Sequence, residues 1–134
     1  MNIWVICPLE DHIIKVQSLR ALVERLSVER DLKVKVLIGT NNLLYSGIET
    51  YPKGVEYVYL ASSGKKGWGR VIDALISWRC AINAALYESP PDMVIAVDKW
   101  GLFCTYFIRH KPLYGVCYFN LELRVQNETH SISR

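Results

Sequence analysis

The sequence predicts an α/β protein whose open, mostly parallel sheet has the strand order 3-2-1-4-5 and carries helices on both faces. Strand-like and helix-like segments alternate along the chain, as they do where helices connect parallel strands. Residues 3–7 and 92–98 are almost continuous apolar runs, which is typical of strands covered on both faces. These two strands therefore belong at the sheet centre, and right-handed connections give the stated order.

The first half of the chain supplies three of the predicted strands. Residues 3–7 form the first, and Asp11 is placed to cap a helix that runs to about residue 30, with apolar residues at three- and four-residue steps. Residues 33–38 form the second strand, and their lysines predict a less buried position than that of the first. After an irregular stretch, residues 55–60 alternate like a half-buried edge strand.

The second half supplies a helix, a central strand, a short helix and a last strand. The first helix covers about residues 70–87, where apolar side chains make a broad stripe. After the apolar strand, residues 99–109 form a short helix that is apolar nearly all round, and residues 113–119 form the fifth strand.

Length and composition fit one packed domain. With 134 residues, 51% of them hydrophobic and 22% charged, the chain can bury a sizeable core but has no room for a second full domain. We expect this domain to cover residues 1–123, with residues 124–134 as a polar tail or the start of a missing segment. The net charge of +3 is too mild to indicate nucleic-acid binding.

The cysteines and the first residues indicate a cytoplasmic protein. Cys7, Cys80, Cys104 and Cys117 fall inside apolar segments at gaps unlike those of metal ligands, so we expect buried, reduced thiols. The chain enters a strand without a secretory leader, and no apolar run reaches the roughly 18 residues of a membrane span. Any membrane contact would be peripheral, at the inner face.

A ligand site is expected where the sheet order reverses, between the carboxyl ends of the first and fourth strands. Asp11 and His12 border this point on one side, and Asp98 and Lys99 on the other. The first loop lacks the glycines of a dinucleotide site and carries acids where phosphate would sit, so a hydroxyl-rich ligand such as a sugar fits better. Alternatively, Asp11 and Asp98 only cap helices and His12 is simply exposed.

Three further groups of residues have a functional and a structural interpretation. Glu122 lies between leucines at the end of the fifth strand, where an acid needs a partner or a ligand. Lys65, Lys66 and Arg70 make either a solvated loop or an anion site for a lipid phosphate or an anionic membrane surface. The aromatic residues of 99–109 belong to the core or dock onto a partner.

A phosphorylated receiver domain is the obvious alternative for this size and strand order. It would require an acceptor aspartate after the third strand and a lysine after the fifth. The chain has Ala61-Ser62-Ser63 and Asn120 at these points, so both requirements fail.

The chain resembles the amino-terminal half of GT-B glycosyltransferases, family four in particular, over about residues 1–125. The resemblance lies in the opening strand, in the acidic loop that leads into a helix, in residues 92–98, and above all in Tyr118-Phe119-Asn120-Leu121-Glu122-Leu123. It implies a Rossmann-like domain that binds the acceptor and faces a second domain that holds a nucleotide-sugar.

The sequence departs from that family by the absence of a glycine pair in the first loop and of the whole donor domain. The resemblance therefore implies an acceptor-binding portion of a glycosyltransferase that binds no cofactor itself and works with a donor-binding domain or a second chain. Asp11, His12, Asp98, Lys99 and Glu122 would line its acceptor cleft, and the acceptor would be a sugar or a lipid-linked group. The alternative is a non-catalytic binding or interaction module of the same fold.

Overall fold

The computed structural model describes residues 1–8, 13, 15–40, 51–61, 68–109 and 111–119. The helices and strands of these residues are, in chain order, β1 (Asn2–Cys7), α1 (Gln17–Ser27), β2 (Lys33–Thr40), β3 (Glu56–Ala61), α2 (Trp68–Glu88), β4 (Met93–Val97), α3 (Asp98–Cys104), a 3-10 helix (Thr105–Phe107) and β5 (Val116–Phe119).

The strands form one parallel sheet in the order β3-β2-β1-β4-β5, which confirms the predicted fold class and strand order. Ile3 of β1 pairs with Val34 of β2 on one side and with Met93 of β4 on the other. β3 and β5 lie at the two edges. Strands β2 and β3 therefore lie on one side of β1, and β4 and β5 lie on the other, so the strand order reverses between β1 and β4.

Alternate side chains of β1 enter two separate cores, one on each face of the sheet. Ile3, Val5 and Cys7 pack with residues of α1, including Leu19 and Val23. Trp4 and Ile6 point the other way. They pack with a second set of buried residues: Leu37, Leu60, Ile82, Ala85, Val94 and Cys104. Burial of both faces explains why this strand is continuously apolar, because neither face of β1 is in contact with water.

The first predicted helix is interrupted and ends earlier than expected. Ile13 and Lys15 are helical, Val16 has an extended backbone (φ −86°, ψ 104°), and α1 starts at Gln17 without a side-chain capping bond. Asp11 itself lies outside the described residues. At the other end the Ser27 hydroxyl donates to the Glu24 carbonyl oxygen (2.6 Å), a local bond that competes with helix continuation.

The segments after β4 also differ from the prediction. The short helix ends at Cys104 and continues only as a 3-10 turn, where the Thr105 hydroxyl donates to the Leu102 carbonyl oxygen (2.6 Å). The fifth strand begins at Val116, not at residue 113. A turn precedes it, in which the Gly115 amide donates to the Pro112 carbonyl oxygen (3.0 Å) and Gly115 has a φ of +79°.

Two burial predictions were wrong in part. Lys35 of β2 is only 7% exposed, because its chain lies beside Trp4 and its amine reaches the edge of the sheet near Glu88. Of the four cysteines, Cys7 and Cys104 are buried as expected, whereas Cys80 and Cys117 are exposed. Cys117 lies in β5, which is an edge strand, and residues 116–118 of this strand are all exposed.

Candidate functional site

The turn from β4 into α3 lies at the point where the sheet order reverses. β1 and β4 run parallel and adjacent, so Cys7 and Val97 end at the same edge. We refer to this edge, where β1 and β4 end, as the carboxyl edge. α3 packs against both strands, which places its first residue at the expected ligand position for an open parallel sheet.

Asp98 is the first residue of α3 and has an unusual backbone conformation. Its φ is +61°, the only positive φ of a non-glycine residue among those described. Val97 occupies the capping position and makes no side-chain capping bond. Asp98 is therefore the first helical residue and not the capping residue.

One carboxylate oxygen of Asp98 is buried without a hydrogen bond from the residues that the structure describes. The residue is 7% exposed, and in the described part of the chain no hydrogen-bond donor reaches its buried Oδ1. A buried charged oxygen without a hydrogen bond opposes folding, because it has lost its water and gained nothing in return. Strain of the backbone and burial of an unpaired oxygen therefore coincide at one residue.

Two glycines allow the chain to pack tightly around this edge. A Cβ on Gly101 of α3 would lie 2.6 Å from the carbonyl oxygen of Ile6, and a Cβ on Gly39 of β2 would lie 2.0 Å from that of Pro8. Both distances are shorter than side chains tolerate, so only glycine fits. These residues were not predicted from the sequence, although a glycine three residues after a strand-ending aspartate is a detectable signal.

Most of the other residues predicted for the site lie outside the described residues: Asp11, His12, Lys65, Lys66 and Glu122. Arg70 lies in the first turn of α2, and its side chain is outside the described part. Lys99 follows Asp98 in α3 and is exposed. Of the predicted cleft residues, the structure therefore brings Asp98 and Lys99 to the carboxyl edge.

At the opposite, amino edge, the carboxylate of Asp92 is hydrogen-bonded. Its Oδ2 accepts a hydrogen bond from the Asn2 amide (2.8 Å), and its own amide donates to the Asn2 carbonyl oxygen (2.8 Å). The Asn2 side chain donates to the Ser89 hydroxyl (2.6 Å), and the Tyr114 amide donates to the Asp92 carbonyl oxygen (2.8 Å). This network joins β1 to the segments before β4 and β5.

Lys35 lies in a groove at the same amino edge. Its Nζ is 3.7 Å from the Glu88 Oε2 and 6.0 Å from the centre of the Trp4 ring. Because the amine already has an anionic partner and an aromatic neighbour, the position of Lys35 is explained by these contacts and does not require a ligand.

Two buried groups have raised pKa values. Burial raises the pKa of the Cys104 thiol from 9.0 to about 12. Burial is also the largest cause that raises the pKa of Tyr57 to about 12, and its hydroxyl donates to the Pro52 carbonyl oxygen. Both groups are neutral at ordinary pH, so the Cys104 thiol is a poor nucleophile although it ends the helix that Asp98 begins.

A line of aromatic rings on α3 and the 3-10 helix is exposed. Trp100 is 37%, Phe103 40% and Tyr106 81% exposed, and neighbouring ring centres lie 6.5 Å and 6.2 Å apart. We call these three residues the aromatic surface. The interpretation of them as core residues was therefore wrong, while Phe107 is half-buried and packs against the second core.

Within the described ranges, no group of three or more His, Cys, Asp or Glu side chains could hold a metal ion. None of the helices in that part of the chain combines the length and apolar character needed to cross a membrane.

Comparison with known proteins adds no family to these observations. No protein-family model matches the chain, and no curated protein matches it at a significant level.

Proposed function

We propose that the chain is the acceptor-binding, amino-terminal portion of a nucleotide-sugar-dependent glycosyltransferase. It binds the acceptor at the carboxyl edge and transfers no sugar unless a donor-binding domain or a second chain holds the nucleotide-sugar. The observation that carries the proposal is the buried Oδ1 of Asp98, which lies where the sheet order reverses and has no hydrogen-bond partner among the described residues. The family resemblance of residues 118–123 supplies the reaction class.

The charge at this edge favours a hydroxyl-bearing ligand over a phosphate-bearing one. In a dinucleotide site the backbone amides of a helix start approach a pyrophosphate. Here a carboxylate occupies the first position of α3, and it repels an anion at short range. A sugar hydroxyl, by contrast, donates a hydrogen bond to a carboxylate oxygen. The carboxylate at this position supports acceptor binding by the chain and nucleotide binding by its partner.

The proposal is tested by two measurements on the purified chain. Titration of a ¹⁵N-labelled sample with methyl glycosides should give saturable shifts of the amides of residues 98–101. Incubation with UDP-glucose or GDP-mannose should give neither hydrolysis nor transfer. Robust turnover by this chain alone would contradict its assignment as one half of an enzyme, and the absence of glycoside shifts would contradict acceptor binding.

The basic residues Lys65, Lys66 and Arg70 enter the proposal as contacts for an acidic or lipid-linked acceptor at the membrane surface. The chain should sediment with vesicles that contain anionic lipid and not with neutral ones. A variant with Lys65→Ala and Lys66→Ala should lose this binding and keep the methyl glycoside shifts. Equal binding to both vesicle types would exclude the contact.

The aromatic surface favours a second candidate, a non-catalytic interaction module. Three neighbouring rings are exposed, and Lys99, Arg109 and Lys111 are exposed in the same part of the chain. An apolar centre with basic residues nearby fits a partner protein whose apolar patch has an acidic rim.

The two candidates differ in what the aromatic residues do. In the module, Phe103→Ser and Tyr106→Ser together abolish binding of a fluorescent hydrophobic dye, while glycoside shifts are absent in the unchanged chain. In the acceptor domain, the glycoside shifts are present and survive both substitutions. A monodisperse monomer that binds no dye would argue against the module.

A further inference from the structure

Asp98 combines two energetically unfavourable features. Its backbone has a φ of +61°, which aspartate tolerates better than most residues but which is still strained compared with the right-handed region. Its Oδ1 is buried and has no donor within the described part of the chain. Such features persist where the surrounding structure imposes them, and they concentrate at functional sites.

The surroundings of Asp98 do impose its position. Val97 before it is fully buried in β4, and Gly101 after it is pressed against the Ile6 carbonyl oxygen and the Ala96 backbone. The packing of α3 on β1 and β4 holds the backbone of this turn in place. The backbone of Asp98 therefore keeps its position at the ends of the two central strands.

A carboxylate at this point disfavours phosphate, because the two negative charges repel each other at short range. What an unpaired carboxylate oxygen accepts most readily is a hydrogen bond from a neutral hydroxyl group.

We propose that Asp98 is a ligand-binding residue, whose carboxylate accepts a hydrogen bond from a sugar or polyol hydroxyl. The choice of hydroxyl rests on the proposed function, whereas the role of Asp98 as a ligand contact does not. Oδ1 is closed to solvent in the free chain, so the bound state differs from this one by a local opening of the carboxyl edge. The fold retains an unfavourable residue here because the ligand satisfies it.

Stability measurements test this role without knowledge of the natural ligand. Asp98→Asn keeps a residue type that tolerates positive φ and removes the charge, and Asp98→Gly also removes the strain. Both variants should raise Tm, by about 4 °C. Asp92→Asn is the matched control at the other end of β4, and it should lower Tm because the Asp92 carboxylate is already hydrogen-bonded. A fall in Tm for both Asp98 variants would show a structural role and overturn the inference.

Binding measurements test the ligand class. Methyl α-glucoside and methyl α-mannoside are titrated into the labelled chain and into each variant. Affinity should fall at least about tenfold in Asp98→Asn and stay unchanged in Asp92→Asn. Unchanged affinity in Asp98→Asn, or no saturable shift in the unchanged chain, would overturn the inference.

The inference and the proposed function can fail separately. If sugar transfer is reconstituted with a donor-binding chain while the Asp98 variants bind normally, only the inference fails. If the Asp98 variants lose glycoside binding while no donor-binding partner restores transfer, only the glycosyltransferase assignment fails.

Discussion

The two aspartates at the ends of β4 have the same side chain and opposite circumstances. Asp92, at the amino edge, exchanges two backbone-directed hydrogen bonds with Asn2, and its carbonyl oxygen holds the amide of Tyr114. Asp98, at the carboxyl edge, begins a helix with a positive φ, and its Oδ1 has no hydrogen-bond donor among the described residues. Among these residues, hydrogen bonds stabilise one end of the strand, and the other end has a strained backbone and an oxygen without a donor.

The difference indicates that the two edges of the sheet have different roles: hydrogen bonds stabilise the amino edge, and the carboxyl edge is the candidate functional site. The amino edge closes the sheet through hydrogen bonds between neighbouring segments, and Lys35 there also has Glu88 as a partner. At the carboxyl edge, backbones approach so closely that only glycine fits at positions 39 and 101. The following predictions test this contrast.

The largest effect is expected for Gly39→Ala. The added Cβ would lie 2.0 Å from the Pro8 carbonyl oxygen, and because that atom belongs to the backbone, the end of β1 or β2 must shift. We expect a loss of about 3 kcal/mol in the free energy of unfolding, measured by urea denaturation. The control is Gly115→Ala, where a Cβ meets nothing within 4 Å and only the φ of +79° opposes it. That variant should lose about 1 to 2 kcal/mol, and equal losses would refute tight packing at the carboxyl edge.

Asp92→Ala should have the next largest effect. The substitution leaves the Asn2 amide without its carboxylate acceptor, at a partly buried position. The free energy of unfolding should fall by about 2 kcal/mol, and hydrogen exchange of the Asn2 amide should accelerate. A variant as stable as the unchanged chain would mean that the amino edge does not depend on this network, and the contrast between the edges would disappear.

Cys104 should have a smaller effect on the free energy of unfolding, and this effect depends on pH. Because burial raises its pKa from 9.0 to about 12, the unfolded chain loses the thiol proton at lower pH than the folded chain. This contribution to stability is complete below pH 9 and is lost as the pH rises towards 12, by about 1 kcal/mol between pH 9 and pH 10.

The control for this effect is Cys104→Ala, which lacks the thiol. Urea denaturation at both pH values should give a smaller decrease for Cys104→Ala than for the unchanged chain. An identical decrease would show that the thiol is not held neutral by the fold. In a folded sample without urea, below pH 9, a thiol reagent should modify the exposed Cys80 and Cys117 before Cys7 and Cys104.

Lys35→Met should have the smallest effect. The apolar part of the lysine chain is retained, and only the ion pair with the largely exposed Glu88 carboxylate is lost. We expect a change of less than about 1 kcal/mol in either direction, measured by urea denaturation. A loss of several kcal/mol would contradict this expectation. It would show that the charge of Lys35 is important for the stability of the amino edge.

The sheet could be predicted because its signal is local. The apolar runs of β1 and β4 reflect burial on both faces, and handedness and connection rules then leave few strand orders. The position of Asp98 at the carboxyl edge followed from the same argument.

The state of Asp98 could not be predicted, because it depends on what surrounds the residue. The sequence shows only that an aspartate follows a strand, and this does not indicate its backbone φ or the hydrogen bonds of its side chain. Burial of Lys35 likewise depends on Trp4, which lies on the neighbouring strand. The exposure of Trp100 and Phe103 depends on which elements cover α3, and an apolar helix sequence does not contain that information.

The central place of β1 in the sheet also determines when the fold can be completed. β1 pairs with β2 soon after it in sequence, but its other partner, β4, comes much later in the chain. During synthesis the apolar β1 must therefore wait with one hydrogen-bonding edge and part of each face uncovered. Contacts of such long sequence separation slow folding, and the unpaired edge of β1 is the place where a partly made chain is most prone to associate wrongly.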